Sequence, residues 1–349
     1  MSATVAVTES KGAPFALREV ELPDLAPDEV RVRVAASGIC HTDLICRDQW
    51  YPVPLPQVLG HEGAGTVEAV GPAVTKVAPG DRVGMTFDSC GRCATCQQGR
   101  PAYCHAFFEH NFASKRFFGQ SSFATHSVAR ERNVVRLDAC IPLEVAAPFG
   151  CGIQTGAGAV LNSLRVPAGS SLAVFGSGTV GLSAVLAGVV AGCTTIVAVD
   201  VLPRRLATAR ELGATHAVDA HETDAVEEVR RLTGGGADFS LETTGNARVL
   251  RQCVDCLAPT GTAGVIGAPA FGTEVSLDVN TILTGGRAVR GIVEGDSVPD
   301  VFLPRLVKLW EQGRFPVDRL MTFYDFDDIE QAARDAEAGQ TIKAVLRMA

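Results

Sequence analysis

A mainly-β domain interrupted by a doubly wound, parallel α/β domain is the architecture that this 349-residue sequence predicts. Three observations carry the expectation. Residues 169–200 run strand, glycine turn, apolar helix, strand and terminal acid in unbroken order. The chain before residue 150 is written instead in short alternating strands and turns. Between them, four cysteines fall at 90, 93, 96 and 104.

The β texture comes first. "VRVRVAASG" (30–38), "GTVEAVG" (65–71) and "GDRVGMTF" (80–87) alternate with the period of two that half-buried strands require. The cysteine loop, "SCGRCATCQQGRPAYC" from Ser89 to Cys104, follows. Its spacing is C-x2-C-x2-C-x7-C, with Gly91 and Gly99 for tight turning and Pro101 for stiffness. Cys90, Cys93, Cys96 and Cys104 can close around one zinc as a tetrahedron. Four unrelated reduced thiols and an iron–sulfur cluster are the alternatives on residue grounds. A zinc held by four thiolates has no open position, so this lobe, residues 89–105, would fold the chain rather than do chemistry.

The α/β part begins with "SLAVFG". Gly176, Gly178 and Gly181 form G-x-G-x-x-G, with Thr179 and Val180 inside the turn, and "TIVAVD" ends at Asp200. This is the Rossmann fingerprint: the glycines let backbone N–H groups approach a pyrophosphate at a helix N-terminus. Asp200, nineteen residues after Gly181, would bond the adenosine ribose hydroxyls and repel a 2′-phosphate, which favours NAD over NADP. Arg205 would cover the adenosine side, or be a solvated helix charge. "RRLATARELGA", "HAVD", "DAVEEVRRLTG", "ADFSLETTG", "NARVLRQCVDCL" and "TGTAGVIGAPA" continue the helix–strand alternation. The tail turns helical in "FLPRLVKLWEQG" and "DIEQAARDAEAG" and ends in the strand "IKAVLRMA". The expected domains are therefore 1–152 with 294–349, and 153–293 inserted between them.

A second metal set is scattered. "GICHTDLIC", "LGHEGAGTVEAVG" and "PFGCGIQTGAG" each set Cys or His beside glycine. Cys40, His61 and Cys151 would give two sulfurs, one nitrogen and a vacancy, suited to polarising an alcohol oxygen. The plainer readings are a core or turn histidine and a small buried thiol. Asp43 would orient His61, and Glu62 would add charge nearby.

Composition narrows the partners. The net charge of −8 and the lack of any basic run argue against nucleic acid. "MSATVAVTES" lacks the features of a secretion signal. The apolar run 180–199 is interrupted by Gly188 and Gly192 and ends at Asp200, so it reads as buried helix plus buried strand rather than a membrane span. A cytoplasmic protein with reduced thiols is expected; eleven cysteines, an odd number, fit a full disulfide set poorly.

Over essentially its whole length the chain resembles the zinc-dependent medium-chain alcohol dehydrogenases. "GHEGAGTVEAVG", the four-cysteine lobe, "CGIQTGAG" and "FGSGTVGL" carry the resemblance. "CHTDLICRD" and "FFGQSSFATHSVARE" are most similar to the bacterial aryl (benzyl) alcohol and geraniol branch. The resemblance implies a GroES-like catalytic domain with the Rossmann domain inserted. It implies catalytic zinc on Cys40, His61 and Cys151, and structural zinc on the four-cysteine lobe. Thr42 would be the first proton acceptor, His41 would touch the pyrophosphate, and Thr155 and Val180 would support the nicotinamide. Thr179, Ile266 and Lys343 are counted among the cofactor contacts too. The implied reaction is reversible oxidation of a primary aromatic or allylic alcohol to an aldehyde by hydride transfer to NAD, in a homodimer or homotetramer with two zinc ions per subunit.

Two departures stand out. Ile45 occupies the place where liver-type relatives end a proton relay with histidine, and the segment after Cys104 is shorter. Phe107, Phe108, Phe112, Phe117 and Phe118 crowd twelve residues, as an aromatic pocket or as core. A glutathione-dependent formaldehyde dehydrogenase, and an NAD-binding regulatory protein on the same scaffold, are the rival functions.

Overall fold

Strand pairing in the computed structural model, which describes residues 2–348, groups the chain into three sheets and two compact units. One unit holds the residues up to Gly152, Ser297–Gly313 and those from Val317 onward; the other holds Ile153–Asp296 with Arg314–Pro316. Residues 1 and 349, counted above with the first domain, lie outside the described residues.

The first unit contains the strands β1 (Ser2–Thr8), β2 (Ala16–Glu21), β3 (Glu29–Gly38), β4 (Gln57–Val58), β5 (Gly63–Val70), β6 (Arg82–Met85), β7 (His126–Arg130) and β8 (Val134–Arg136). The second contributes β9 (Ser171–Phe175), β10 (Thr195–Asp200), β11 (His216–Asp219), β12 (Ala237–Glu242), β13 (Leu257–Val265) and β14 (Ala288–Gly291). The chain then returns to the first unit with β15 (Met321–Asp325) and β16 (Lys343–Arg347).

A small antiparallel sheet runs β2-β1-β4, and a larger mixed sheet runs β15-β16-β3-β5-β6-β8, with β7 also on β3 and only β15 and β16 parallel. β3 is the hub: it pairs antiparallel with β5, β7 and β16. Its period-two pattern explains this, because Val30, Val32 and Val34 are buried with Val67, Val83 and Met85 while Arg31 and Arg33 point away from that core. Glycine sets how closely one further segment approaches. A Cβ on Gly150 would stand 1.9 Å from the Met85 carbonyl oxygen. Only glycine lets the turn before Cys151 press onto β6, and that contact delivers the Cys151 sulfur.

The second unit is a six-stranded parallel sheet in the order β11-β10-β9-β12-β13-β14. It reverses direction of winding beside β9, which is the switch point of a doubly wound fold. Helices Pro203–Glu211, Ala225–Leu232 and Ala247–Asp255 lie between the strands; Asp224 and Asn246 cap the last two by accepting backbone N–H bonds. The apolar run at 180–199 divides into helix Thr179–Ala191 and strand β10, with Gly192 left-handed at the break. Among the described residues no helix is long and apolar enough to cross a membrane.

The helix Gly152–Gly158 packs on the first turn of helix Thr179–Ala191: a Cβ on Gly156 would lie 2.0 Å from the Val180 carbonyl oxygen. Gly156→Ala should therefore destabilise the protein by about 2 kcal/mol, the usual scale for overpacking. Thermal unfolding measures this, and an unchanged midpoint would show that the two helices separate freely.

Candidate active site

A single carboxylate organises the first cluster. Cys40 is the N-cap of helix His41–Arg47, in extended geometry. Three residues into the helix, Asp43 turns back so that Oδ2 accepts the Cys40 N–H at 2.9 Å. Its Oδ1 accepts the Gly60 N–H at 3.0 Å and the His61 Nδ1–H at 2.9 Å. With Nδ1 donating, the imidazole lone pair sits on Nε2. That atom is buried and has no hydrogen-bond partner among the described residues. A buried polar atom left without a partner is rare and costly, and a metal ligand is one of the few roles that explains it.

Donor atoms of Cys40, His61, Glu62 and Cys151 all lie within 4.8 Å of one another. Ligands of a tetrahedral zinc stand about 3.3–3.8 Å apart, given bonds of about 2.0–2.3 Å. The set has the donor chemistry of a zinc site. Contact with Cys151 is the largest cause that holds the Cys40 thiol well below its ordinary pKa; His61 and Lys343 add to it against the cost of burial. Burial pushes the His61 pKa down, but Asp43 and Cys40 together outweigh it and leave the ring well above its usual value. Thr42 Oγ1 lies 3.8 Å from the Cys40 sulfur, which puts its hydroxyl beside the cage. His41, one residue back, is exposed, and Ile45 is buried.

Glu62 has company that local sequence does not reveal. It is fully buried, and Lys343 Nζ approaches its two oxygens at 3.0 and 2.8 Å. The ammonium also donates to the Ile39 carbonyl at 2.9 Å, and Glu62 accepts the Gly152 N–H at 3.2 Å. Lys343, expected among the cofactor contacts, thus spends three donors on this cluster. Burial raises the Glu62 pKa against the pull of Lys343; the lysine is raised because Glu62 and the thiolates overcome its own burial. The reading of residues missed Gly38, where a Cβ would stand 2.0 Å from Glu62 Oε2. It missed Gln120 as well, whose Nε2 donates to the His61 carbonyl at 2.9 Å.

The phenylalanine run wraps this cluster. Phe118 stacks on the His61 ring at 4.5 Å and Phe117 meets it edge-on at 5.5 Å. Phe112, Phe117 and Phe118 are buried, Phe107 is half-buried and Phe108 is the exposed member. Phe118 holds a left-handed backbone (φ 50°), unusual for so large a residue.

The four-cysteine lobe forms a second cage, with donor atoms within 4.8 Å. Backbone N–H groups of Arg92 and Cys93 point at Cys90 Sγ at 3.4 and 3.2 Å, and these bonds lower the Cys90 pKa. The Thr95 hydroxyl, the largest cause, helps bring Cys93 to about 5. Amides aimed at sulfur stabilise thiolates, the form that binds metal. All eleven cysteines are free thiols.

The second unit offers the cradle for a dinucleotide. Gly176 is left-handed (φ 95°), and a Cβ on Gly181 would stand 1.8 Å from the Gly176 carbonyl, so helix and strand meet closely there. A Cβ on Gly178 would meet nothing within 4 Å, which leaves open space over the helix N-terminus where Thr179 and Val180 begin. That is the site a pyrophosphate requires. Asp200 ends β10, nearly buried; its Oδ2 accepts the Ser177 N–H at 2.6 Å and its Oδ1 the Val201 and Leu202 N–H groups at 2.8 and 2.9 Å. Arg205 is half-buried in helix Pro203–Glu211. Ile266 donates its N–H to the Glu242 carbonyl at 2.9 Å, just past β13. Thr155 is buried, 3.4 Å from a Glu294 oxygen.

Comparison with known proteins gives the same reading from another side. Residues 26–139 match the alcohol dehydrogenase GroES-like domain, and residues 179–310 the zinc-binding dehydrogenase family. A geraniol dehydrogenase of Castellaniella defragrans is 46% identical, covering 99% of this chain and 98% of its own. The chain belongs to the zinc-binding alcohol dehydrogenases. Two solved structures share the fold of this dehydrogenase along its full length. A benzyl alcohol dehydrogenase of Acinetobacter calcoaceticus is 47% identical with a TM-score of 0.99, covering 100% of both chains. An alcohol dehydrogenase zinc-binding domain protein of Burkholderia ambifaria is 53% identical with a TM-score of 0.98, covering 100% of this chain and 99% of its own.

Breaking the buried pair tests its role in this dehydrogenase. Lys343→Met leaves Glu62 without its cation and should cost about 3–5 kcal/mol. The double variant Lys343→Met/Glu62→Gln should recover most of that loss. Chemical denaturation measures both; a Lys343→Met protein as stable as the wild type would remove the pair from the account.

Proposed function

We propose that the protein is a zinc-dependent, NAD-linked alcohol dehydrogenase that interconverts primary aromatic or allylic alcohols and their aldehydes. The observation that carries the reading is the partnerless His61 Nε2, held by Asp43 among the Cys40 and Cys151 sulfurs. The relatives support the substrate class, since those at 46% and 47% identity are a geraniol and a benzyl alcohol dehydrogenase.

Cys40, His61 and Cys151 would hold a catalytic zinc, and Cys90, Cys93, Cys96 and Cys104 a structural one. Zinc, when bound in the first cage, supplies Lewis-acid polarisation of an alcohol oxygen. Thr42 takes the hydroxyl proton, and its place beside the Cys40 sulfur supports that role. Asp43 keeps His61 in the tautomer and orientation its task needs. The half-buried and exposed phenylalanines, Phe107 and Phe108, favour an apolar substrate body over a hydrophilic one. NAD supplies the two-electron acceptor. The glycine turn, with Thr179 and Val180, receives the pyrophosphate. Asp200 and Arg205 receive the adenosine ribose, and Thr155 and Ile266 the nicotinamide end. The protein is read as cytoplasmic and homo-oligomeric. β14 ends its sheet with all four residues exposed, and Val279 and Leu283 nearby in sequence are 73% and 74% exposed. An apolar edge of this kind suits pairing with a second copy.

These measurements test the reading. NADH formation should be fast with benzyl alcohol and geraniol and slow with ethanol; a preference for formaldehyde plus glutathione would favour the rival enzyme. Metal analysis should find two zinc ions per chain; Cys90→Ser should lose one together with thermal stability, whereas Cys151→Ser should stay folded, bind NAD and turn over little. NAD should be preferred to NADP, and Asp200→Gly should relax that preference. The same variant should cost about 1–3 kcal/mol, because three backbone donors lose their acceptor. Equal use of both cofactors by the wild type would count against the role given to Asp200. Val289→Lys, a charge on the β14 edge, should yield a smaller assembly in sedimentation; an unaltered one would move the interface elsewhere.

A further inference from the structure

Helix Phe107–Asn111 has five residues and carries Phe107, half-buried, and Phe108, exposed. A helix so short does not hold itself in place, because nucleation costs more than its few bonds return. What ties it down sets its position. At one end the Phe107 N–H donates to the carbonyl of Cys104, the last thiol of the four-cysteine lobe, at 2.9 Å. At the other end the tie is one side chain.

Asn111 is fully buried. Its Oδ1 accepts the Asp88 N–H at 2.8 Å, and its Nδ2 donates to the Asp88 carbonyl at 2.9 Å. The same Nδ2 donates to the Phe107 carbonyl at 2.7 Å. The amide thus meets both backbone groups of Asp88, as a neighbouring strand would, and holds the first turn of its own helix at the same time. Asp88 is itself fixed. It is 4% exposed, its Oδ1 accepts the Ser89 N–H at 2.8 Å, and the guanidinium groups of Arg132 and Arg130 stand 3.8 and 3.9 Å from its two oxygens. The second aromatic segment leans on the same residue: a Cβ on Gly119 would stand 3.0 Å from the Asp88 Cβ. Phe107 faces Phe118 at 6.4 Å, and Phe118 lies on the His61 ring at 4.5 Å. Asn111 therefore fixes where Phe107 and Phe108 stand relative to the His61 cluster.

We propose that Asn111 is a positioning residue for substrate selection: by fastening the aromatic helix to the Asp88 peptide it sets the depth of the apolar wall, and so favours alcohols with a flat, unsaturated body over small ones. The inference rests on the substrate reading above. A wall that retreats loses contact with the body of a large alcohol, while the reacting carbinol group and a small alcohol are untouched. The loss should then fall on KM and not on kcat. Two measurements test this. The first is hydrogen exchange without substrate: Asn111→Leu, which keeps the volume and loses the bonds, should exchange the Phe107–Phe112 amides faster than the wild type. The second is kinetics on the zinc-loaded enzyme with saturating NAD. In Asn111→Leu the KM for benzyl alcohol should rise roughly tenfold, with kcat for it and kcat/KM for ethanol both within about twofold of the wild type. A residue that only supports the fold would lower both alcohols together. Asn111→Gln, which keeps an amide for folding but displaces it by one methylene, should shift the same selectivity ratio by roughly threefold or more. Phe107→Leu alone should also lower the ratio, and adding Asn111→Leu to it should change little further. Unaltered exchange, a ratio within twofold of the wild type in both Asn111 variants, or full additivity with Phe107→Leu overturns the proposal and leaves Asn111 a packing residue. A wild type without preference for benzyl alcohol defeats the substrate reading instead; the ratio of its best alcohol to the smallest it accepts then decides this one.

Discussion

The Asp43 carboxylate is the constraint on which the first cluster depends. It accepts three hydrogen bonds, from the Cys40 N–H, the Gly60 N–H and the His61 ring. The first fixes the start of helix His41–Arg47 and so the Cys40 sulfur; the other two fix the turn that carries His61. One side chain thereby sets two of the three proposed ligands in a common frame. The third enters through Gly150, whose bare backbone lets its turn close on β6. A buried anion with three donors is well satisfied, which is why a charge at 0% exposure is tolerated there.

Charge balance links this frame to the rest of the unit. Asp43, Glu62 and a Cys40 thiol held toward its anionic form crowd around His61, and Lys343 is the buried cation among them. A site this rich in negative charge is poorly balanced by one ammonium, and a divalent cation is the natural complement. Glu62, itself one of the clustered donors, is held in place by Lys343 and the Gly152 N–H and lies against Gly38.

What the sequence revealed follows the range of the interactions involved. The fold class and the glycine turn were legible because strand, turn, helix and acid lie within 32 residues and each signals locally. The four-cysteine lobe was legible for the same reason. Cys40, His61 and Cys151 could be grouped only weakly on spacing, since tertiary contact alone assembles them, and the family resemblance strengthened the grouping. The Glu62–Lys343 pair joins residues 281 positions apart, and no local pattern can encode that. A lone lysine inside the apolar strand "IKAVLRM" was the available signal, because a buried lysine implies a partner. Whether the phenylalanines were pocket or core also depended on burial, a property of the fold. Asn111 was overlooked altogether; "FFEHN" reads as part of an aromatic run until the bonds of its last residue to the Asp88 peptide are known.

The discontinuity of the first unit has a consequence for biosynthesis. Domains tend to fold as units while the chain is being made. All of the second unit except the Arg314–Pro316 stub is synthesised in one stretch, Ile153–Asp296, so the six-stranded sheet can be complete while its neighbour is not. The first unit must wait for β16, which pairs with Ala36–Gly38 at the end of β3 and brings Lys343 to Glu62. Until then Ala36–Gly38 of β3 lack this partner strand and Glu62 has no cation. The parallel-sheet unit, second in sequence, is thus able to be first in folding, and the most exposed nascent species is a half-built β unit whose buried acid has yet to meet its lysine.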